Sequence, residues 1–230
     1  MSKPAITLYS YPTPNGVCVS IFLEALKSVY PDNADLNSYE VVKMSIRDAD
    51  IGQVHNQVKS PWFLEINPNG RIPAIAVNGF NVFETSAIIL YLAQVYDTKK
   101  LFSYDPVNEA KEYSEVLQWI FFCDHGEIGP MQGQANHFKF AAPEKIEYAQ
   151  KRYVNETRRL YSVLETHLKA GDKEFIMGNK FTLADIKTFP WVRRSSVLKI
   201  DLATEFPIVK AWVDRIEARP DVQRGLNIPA

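Results

Sequence analysis

Along the first hundred residues the spacing of apolar positions changes several times, and each change marks an element. Ile6-Thr7-Leu8-Tyr9 has strand composition and stops at Ser10-Tyr11-Pro12-Thr13-Pro14-Asn15-Gly16, a run dense in turn formers. Val17, Ile21, Phe22, Ala25 and Leu26 then recur at helical spacing, with Ser20 and Glu24 among the polar positions between them. A second short strand is predicted over 39–44, and the polar stretch from there to Ser60 reads as a loop with a weak helix. Residues 61–66 suit a short helix, Asn67-Pro68-Asn69-Gly70 turns the chain, and Ile72-Pro73-Ala74-Ile75-Ala76-Val77 reads as a strand with a proline at its start. Asn78-Gly79 is a two-residue hairpin signal, and Asn81-Val82-Phe83 is the returning strand. Glu84-Thr85-Ser86 opens a mostly apolar helix that runs to Tyr96. The order β-α-β-α-β-β-α, a parallel pair followed by an antiparallel hairpin, is a thioredoxin-like arrangement.

Residues 97–108 break the apolar pattern and read as a linker. Beyond it the periodicity is helical throughout. Val116, Leu117, Ile120 and Phe121 mark one helix over 109–124, and Ile146, Ala149, Tyr153, Leu160, Val163, Leu164 and Leu168 share one face of another over 144–168. Thr182-Leu183-Ala184-Asp185 has the spacing of a capping box with Asp in the N3 place, and Phe181 is positioned for the staple contact. A last helix is predicted from Pro207 to about Arg219, with proline at each boundary. The expected fold class is α/β plus all-α, with a thioredoxin-like N-terminal domain over 1–97 and an all-helical C-terminal domain over 108–230.

Charge narrows the partners. With 26 Lys and Arg against 27 Asp and Glu, the 230-residue chain carries a formal net charge of −1 and has no field to gather nucleic acid or anionic lipid. The opening residues lack a secretory pattern and the longest apolar run is too short for a bilayer, so a soluble, cytoplasmic protein without membrane partners is expected. Cys18 and Cys123 make neither a disulfide framework nor a metal cluster. His55, His125, His137 and His167 have no metal-ligand spacing, and phosphate-loop and serine-nucleophile motifs are missing. No metal is expected. The pairs Lys151-Arg152 and Arg158-Arg159 read as a solvated helix face ion-paired to Glu147 and Glu156, and Trp119, Phe121, Phe122, Phe138 and Phe140 as mostly core.

Three short segments carry candidate chemistry. Pro73 either simply initiates a strand or forms a cis bond that turns the Ile72 N–H and C=O toward an extended ligand. Glu84-Thr85 either caps its helix or grips an amino acid, the free N–H groups and Thr85 hydroxyl taking an α-carboxylate and Glu84 an α-ammonium. Thr13 and Asn15 either cap the first helix or donate to a thiolate, lowering a thiol pKa from about 8.5. Asn15 is no nucleophile, and Cys18, one turn inside the helix, reads as packing. Such a thiol therefore comes with a ligand.

Together, Ile72-Pro73, Phe83-Glu84-Thr85-Ser86-Ala87-Ile88 and Phe181-Thr182-Leu183-Ala184-Asp185 resemble the cytosolic glutathione transferases over nearly the whole chain. Tyr9-Ser10-Tyr11-Pro12 to Gly16, Asn67-Pro68-Asn69-Gly70-Arg71-Ile72-Pro73, and Gly129-Pro130-Met131-Gln132-Gly133-Gln134 with His137-Phe138 look like one branch of them. That branch is the fungal group related to the prion-forming nitrogen-catabolite regulator, together with the bacterial nu class. The resemblance implies a homodimer that holds glutathione mainly on its first domain. Ile72 beside cis-Pro73 would take the cysteinyl backbone, Glu84 and Thr85 the γ-glutamyl end, and Asn15 and Thr13 the sulfur. Arg71 or Lys59 would reach the glycyl carboxylate, with Gln57 as a substitute. Thr85 stands for the usual Ser, and Val58 for a frequent His or Gln. The implied activity is glutathione-dependent disulfide reduction, with hydroperoxides as further substrates. The alternatives are conjugation of apolar electrophiles, with Tyr9 or Tyr11 supplying the hydroxyl, and non-catalytic ligand binding. An Asn/Gln-rich arm like that of the yeast-type regulator is missing ahead of the first strand, so prion-type behaviour is not expected.

Overall fold

A computed structural model describes residues 5–124 and 127–229, so His125 lies outside the described residues. The chain divides into two compact units, Met1–Thr98 with Arg219–Ala230, and Lys99–Ala218.

In the first unit, β1 (Ile6–Ser10) lies between β2 (Glu40–Lys43) and β3 (Ala74–Val77), and β4 (Phe80–Phe83) closes the order β2-β1-β3-β4. The β1–β2 pair is parallel, while β1–β3 and β3–β4 are antiparallel. Alternation along β1 sends Ile6, Leu8 and Ser10 into the interior, on the sheet face covered by α1 (Pro14–Val29) and α4 (Thr85–Tyr96). Tyr9 points to the other face, where Met44, Val58, Phe63 and Ala74 form a second small core with Trp62 and Ile66 packed on it. Helix α2 (Ala34–Asn37) leads into β2, and α3 (Pro61–Leu64) supplies Trp62 and Phe63 to this second core. The weak helix expected in the polar stretch is one 3-10 turn, Asp48–Asp50.

The second unit is helical: α5 (Ala110–Asp124), α6 (Ile128–Phe140), α7 (Glu147–Lys169), α8 (Leu183–Val192), α9 (Leu202–Glu205) and α10 (Pro207–Glu217). Its core holds Tyr161, Leu164, Phe189 and Trp212. The expected aromatic core is corrected: Phe121 and Phe140 are 48% and 65% exposed, and Trp119, Phe122 and Phe138 are half-buried. The charged face also differs in detail, since Glu147 pairs with Lys145 at 2.9 Å, Arg159 with Glu156 at 2.7 Å and Arg158 with Glu205 at 2.7 Å.

Two features shift the expected boundaries. Phe102, in the stretch read as linker, is buried against Phe181 and accepts a hydrogen bond from the Leu183 N–H at 2.9 Å, so it packs inside the second unit. The helix expected from Pro207 stops at Glu217, ahead of Pro220, but it is not the last. Pro220 stands in the first turn of one more, α11 (Pro220–Leu226), which packs on α1 in the first unit. Proline fits a helix start because its missing N–H has no intrahelical acceptor there.

Candidate functional site

The register of the sheet brings three of the sequence-predicted segments to one end. Ala74, the first residue of β3, pairs with Tyr9 near the end of β1 and with Phe83 at the end of β4. Neighbouring strands are about 4.8 Å apart. The loop from β1 into α1, the Ile72-Pro73 step and the Glu84-Thr85 step into α4 therefore meet at a single sheet edge.

Each segment arrives in a conformation with chemical consequences. The Ile72–Pro73 bond is cis. The ladder begins only at Ala74, so the N–H and C=O of Ile72 lie outside it. Asn67 holds this approach by donating from Nδ2 to the Arg71 carbonyl at 2.8 Å. Glu84 has φ 70°, the left-handed half of the map that a non-glycine residue enters at a cost. It stands at the N-cap of α4 without a side-chain capping bond, and is exposed. Capping therefore does not explain this carboxylate. Thr85, in the first turn, is buried.

Thr13 does cap α1. Its Oγ1 accepts from the Gly16 N–H at 3.1 Å, which leaves the hydroxyl proton as a donor, and Pro14 and half-buried Asn15 follow in the first turn. Gly16 is required because the turn sits directly on the end of β1: an added Cβ would lie 2.1 Å from the Tyr11 carbonyl oxygen and 2.6 Å from Ser10 Oγ. Nothing in the sequence pattern pointed to the Ser10 hydroxyl, which is buried beneath this turn.

Arg71 is exposed at the same edge. Lys59 Nζ donates to the Asn69 carbonyl at 2.9 Å. Buried Gln57 donates to the Arg47 carbonyl at 3.3 Å and accepts from the Lys59 N–H, so both ends of its amide serve the loop. Tyr9 stands 5.9 Å from Trp62 and 5.7 Å from Phe63 between ring centroids, and burial raises its phenol pKa. Cys18 is completely buried. In the second unit Cys123 is buried too, and burial pushes its thiol up to about 11. Among the described residues no group of three or more His, Cys, Asp or Glu side chains is arranged to hold a metal, and no helix is long and apolar enough to cross a membrane.

The Gly129 to Gln134 motif, quoted as a branch marker, is scaffolding in the second unit. A Cβ on Gly129 would sit 3.2 Å from Trp191 Nε1, and one on Gly133 would sit 3.7 Å from the same indole. Between them, buried Gln132 donates to the Trp191 carbonyl and accepts from Tyr161 Oη, each at 2.8 Å. The four-residue spacing of two glycines was the available signal for this seat.

The fold and this sheet edge define a class. Residues 4–94 match the family model of the glutathione S-transferase N-terminal domain and residues 128–220 that of the C-terminal domain, so the chain belongs to the glutathione S-transferases. It is 38% identical over 228 residues to the disulfide-bond oxidoreductase YfcG of Escherichia coli, covering 96% of this chain and 94% of that protein. A glutathione transferase homologue from Lodderomyces elongisporus, crystallised with two glutathiones per subunit, is 39% identical at a TM-score of 0.84, covering 100% of both chains. The transferase URE2P8 of Phanerochaete chrysosporium, solved with oxidised glutathione, is 32% identical at a TM-score of 0.82, covering 97% of this chain and 94% of that one. The chain thus falls in the Ure2-like branch of the family.

Proposed function

We propose that the protein holds glutathione at this sheet edge as a thiolate and uses it to reduce disulfides, with hydroperoxides as further substrates. The observation that carries the reading is the pairing of a thiol-stabilising helix turn, Thr13 to Gly16, with the absence of a usable protein thiol: Cys18 is completely buried. The residues present fit the substrate. Ile72 offers a backbone donor and acceptor, Glu84 an uncommitted acidic group for the γ-glutamyl ammonium, and Thr85 with the start of α4 a site for its carboxylate. Exposed Arg71 would take the glycyl carboxylate, with Lys59, which also donates to the Asn69 carbonyl, as the alternative, whereas Gln57 is taken up by the loop.

Chemistry follows from Asn15 and Thr13 acting only as donors. The glutathione thiolate attacks one sulfur of the substrate disulfide, the S–S bond breaks, and the second sulfur leaves as a thiolate that takes up a proton. A second glutathione thiolate then attacks the mixed disulfide, giving oxidised glutathione and the second reduced thiol. With a hydroperoxide, the thiolate takes the terminal oxygen, releasing an alcohol, and a second glutathione reduces the sulfenic acid to yield oxidised glutathione and water. No protein cysteine is used. YfcG, a relative named for disulfide oxidoreduction, and URE2P8, solved with oxidised glutathione, support this choice over conjugation. The Tyr9 ring packs on the Trp62–Phe63 cluster, which leaves Tyr11 as the hydroxyl the conjugating alternative would use.

The working form in this reading is a cytoplasmic homodimer. The first unit exposes Phe80, Phe83 and Val95, with Phe80 59% exposed and its ring 5.5 Å from Tyr91.

The test compares glutathione-dependent rates on a small model disulfide, a hydroperoxide and an aryl halide, for the wild type and a Cys18→Ser, Cys123→Ser double variant. Dominant disulfide turnover that survives in the double variant is expected. Loss of turnover in a folded double variant rejects the ligand-thiol mechanism. Dominant conjugation transfers the protein to the detoxifying transferases, and glutathione binding without turnover makes it a ligand carrier.

A further inference from the structure

The helix that carries Thr13 and Asn15 is held from outside the site by the last helix of the chain. Gly225 in α11 has no room for a side chain: an added Cβ would lie 2.4 Å from Ile21 Cα and 2.6 Å from Ile21 N. Both of those atoms belong to the α1 backbone, which cannot swing aside as a side-chain tip can. Next to this point, buried Ser20 Oγ donates to the Gly225 carbonyl at 2.8 Å, with the Val17 and Ile228 carbonyls also within reach at 3.1 and 3.2 Å, where the two helices and the tail converge. One turn further along α1, buried Glu24 accepts from Tyr39 Oη at 2.7 Å and from Arg224 Nε at 2.8 Å. Arg224 also donates to Ser28 Oγ.

Seated this way, α11 grips α1 at Ser20, Ile21, Glu24 and Ser28, all on the C-terminal side of the site. Ile21 is six residues beyond Asn15, about 9 Å along the axis. A helix with an intact hydrogen-bond ladder moves as a rod over that length. A displacement imposed at Ile21 must therefore appear at Thr13 and Asn15.

We propose that Gly225 is a positioning residue of the site. It sets how closely α11 approaches α1, and through α1 it fixes where the Thr13 and Asn15 donors stand. The role at the sulfur rests on the glutathione reading above; the coupling between α11 and the first turn of α1 does not.

The test is Gly225→Ala in the full chain, read two ways. Amide resonances of residues 13–17 are compared in the ligand-free protein, and the thiol of bound glutathione is titrated by its ultraviolet thiolate absorbance. Expected are displaced resonances at the first turn and a titration midpoint raised by about one unit, as weakening one donor bond to a thiolate requires. Val209→Ala, a buried truncation in the second unit, lowers stability without either change. If Gly225→Ala does not fold, Arg224→Gln loosens the same grip, with smaller shifts in the same direction that Arg224→Lys partly restores. Unmoved resonances in a folded Gly225→Ala or Arg224→Gln protein overturn the proposal. Moved resonances with an unmoved titration overturn the role at the sulfur. Failure of the wild type to bind glutathione rejects the glutathione reading, while the resonances still decide the coupling.

Discussion

Asp185 is a completely buried carboxyl in the second unit, and replacing it with alanine tests how its burial and its donors balance. The carboxyl is completely buried and accepts from the N–H groups of Ile176 and Thr182 and from Trp212 Nε1, each at 2.9 Å, with Thr182 Oγ1 at 3.2 Å. Asp185→Ala orphans three buried N–H donors, at about 1–3 kcal/mol each. Against this, burial pushes the carboxyl up from 3.8 to about 6 in spite of its donors, so at neutral pH the folded state carries a penalty for the ionised form. That shift of about two units corresponds to about 3 kcal/mol, which the variant recovers. The net expected loss at pH 7 is about 0–6 kcal/mol, so the discriminating quantity is its change with pH, about 3 kcal/mol. The pH dependence has a definite sign. Between the unfolded and folded pKa values the native state binds the extra proton, so wild-type stability falls as pH rises from about 4 to about 6 and then levels. The variant lacks this limb, and the wild-type advantage is therefore larger near pH 4 than at pH 7. Urea unfolding followed by tryptophan fluorescence at a series of pH values measures it. A difference that instead grows with rising pH would show that the donors, and not desolvation, dominate the carboxyl, and would refute the reasoning.

Four other outcomes are expected. Glu84→Gly removes the cost of a left-handed non-glycine backbone, about 1 kcal/mol after the entropy lost by glycine, so the melting temperature holds or rises while glutathione affinity in calorimetry falls at least tenfold; unchanged affinity would remove Glu84 from the site. Gly16→Ala, with its Cβ aimed at the Tyr11 carbonyl, costs about 1–3 kcal/mol in denaturant unfolding, and a neutral result would mean the first turn of α1 is looser than described. Both cysteines are buried, with Cys123 pushed up to about 11, so a thiol reagent at pH 8 labels neither until the protein unfolds; rapid labelling of the native chain would contradict the ligand-thiol mechanism. Phe80→Glu is expected to shift the protein toward monomer in sedimentation, and an unchanged sedimentation coefficient would move the dimer contact elsewhere.

The sequence was most legible where one local signal decided the outcome. Asn78-Gly79 placed the hairpin, and Thr182 to Asp185 placed a capping box that the structure contains. The fold class followed from the order of such elements. Signals with two physical meanings were less informative. Pro220 carries both a stop and a start signal, and the structure uses both: α10 stops at Glu217 and α11, packed on α1, begins at Pro220. The aromatic residues Phe121 and Phe140 carry no local mark of exposure, because helical periodicity fixes relative faces and not which face a neighbour covers. At the candidate site the residue types were readable, but the ambiguity between capping and binding was not resolvable from spacing. It splits in the structure: Thr13 caps and Glu84 does not.

That split bears on the chemistry. The cap holds the Thr13 oxygen on the Gly16 N–H and leaves its proton free to rotate toward a ligand. The oxygen's position is therefore set before any ligand arrives, and a donor already in place costs little reorganisation when negative charge develops on a sulfur. The opposite arrangement holds at Glu84, where backbone strain presents a carboxylate that the fold leaves uncommitted. One end of the site is thus preorganised for an anion and the other for a cation. A ligand with a thiolate at its centre and an ammonium at its end meets both demands, whereas an uncharged electrophile alone meets neither, which is why the glutathione reading takes precedence over simple apolar ligand carriage.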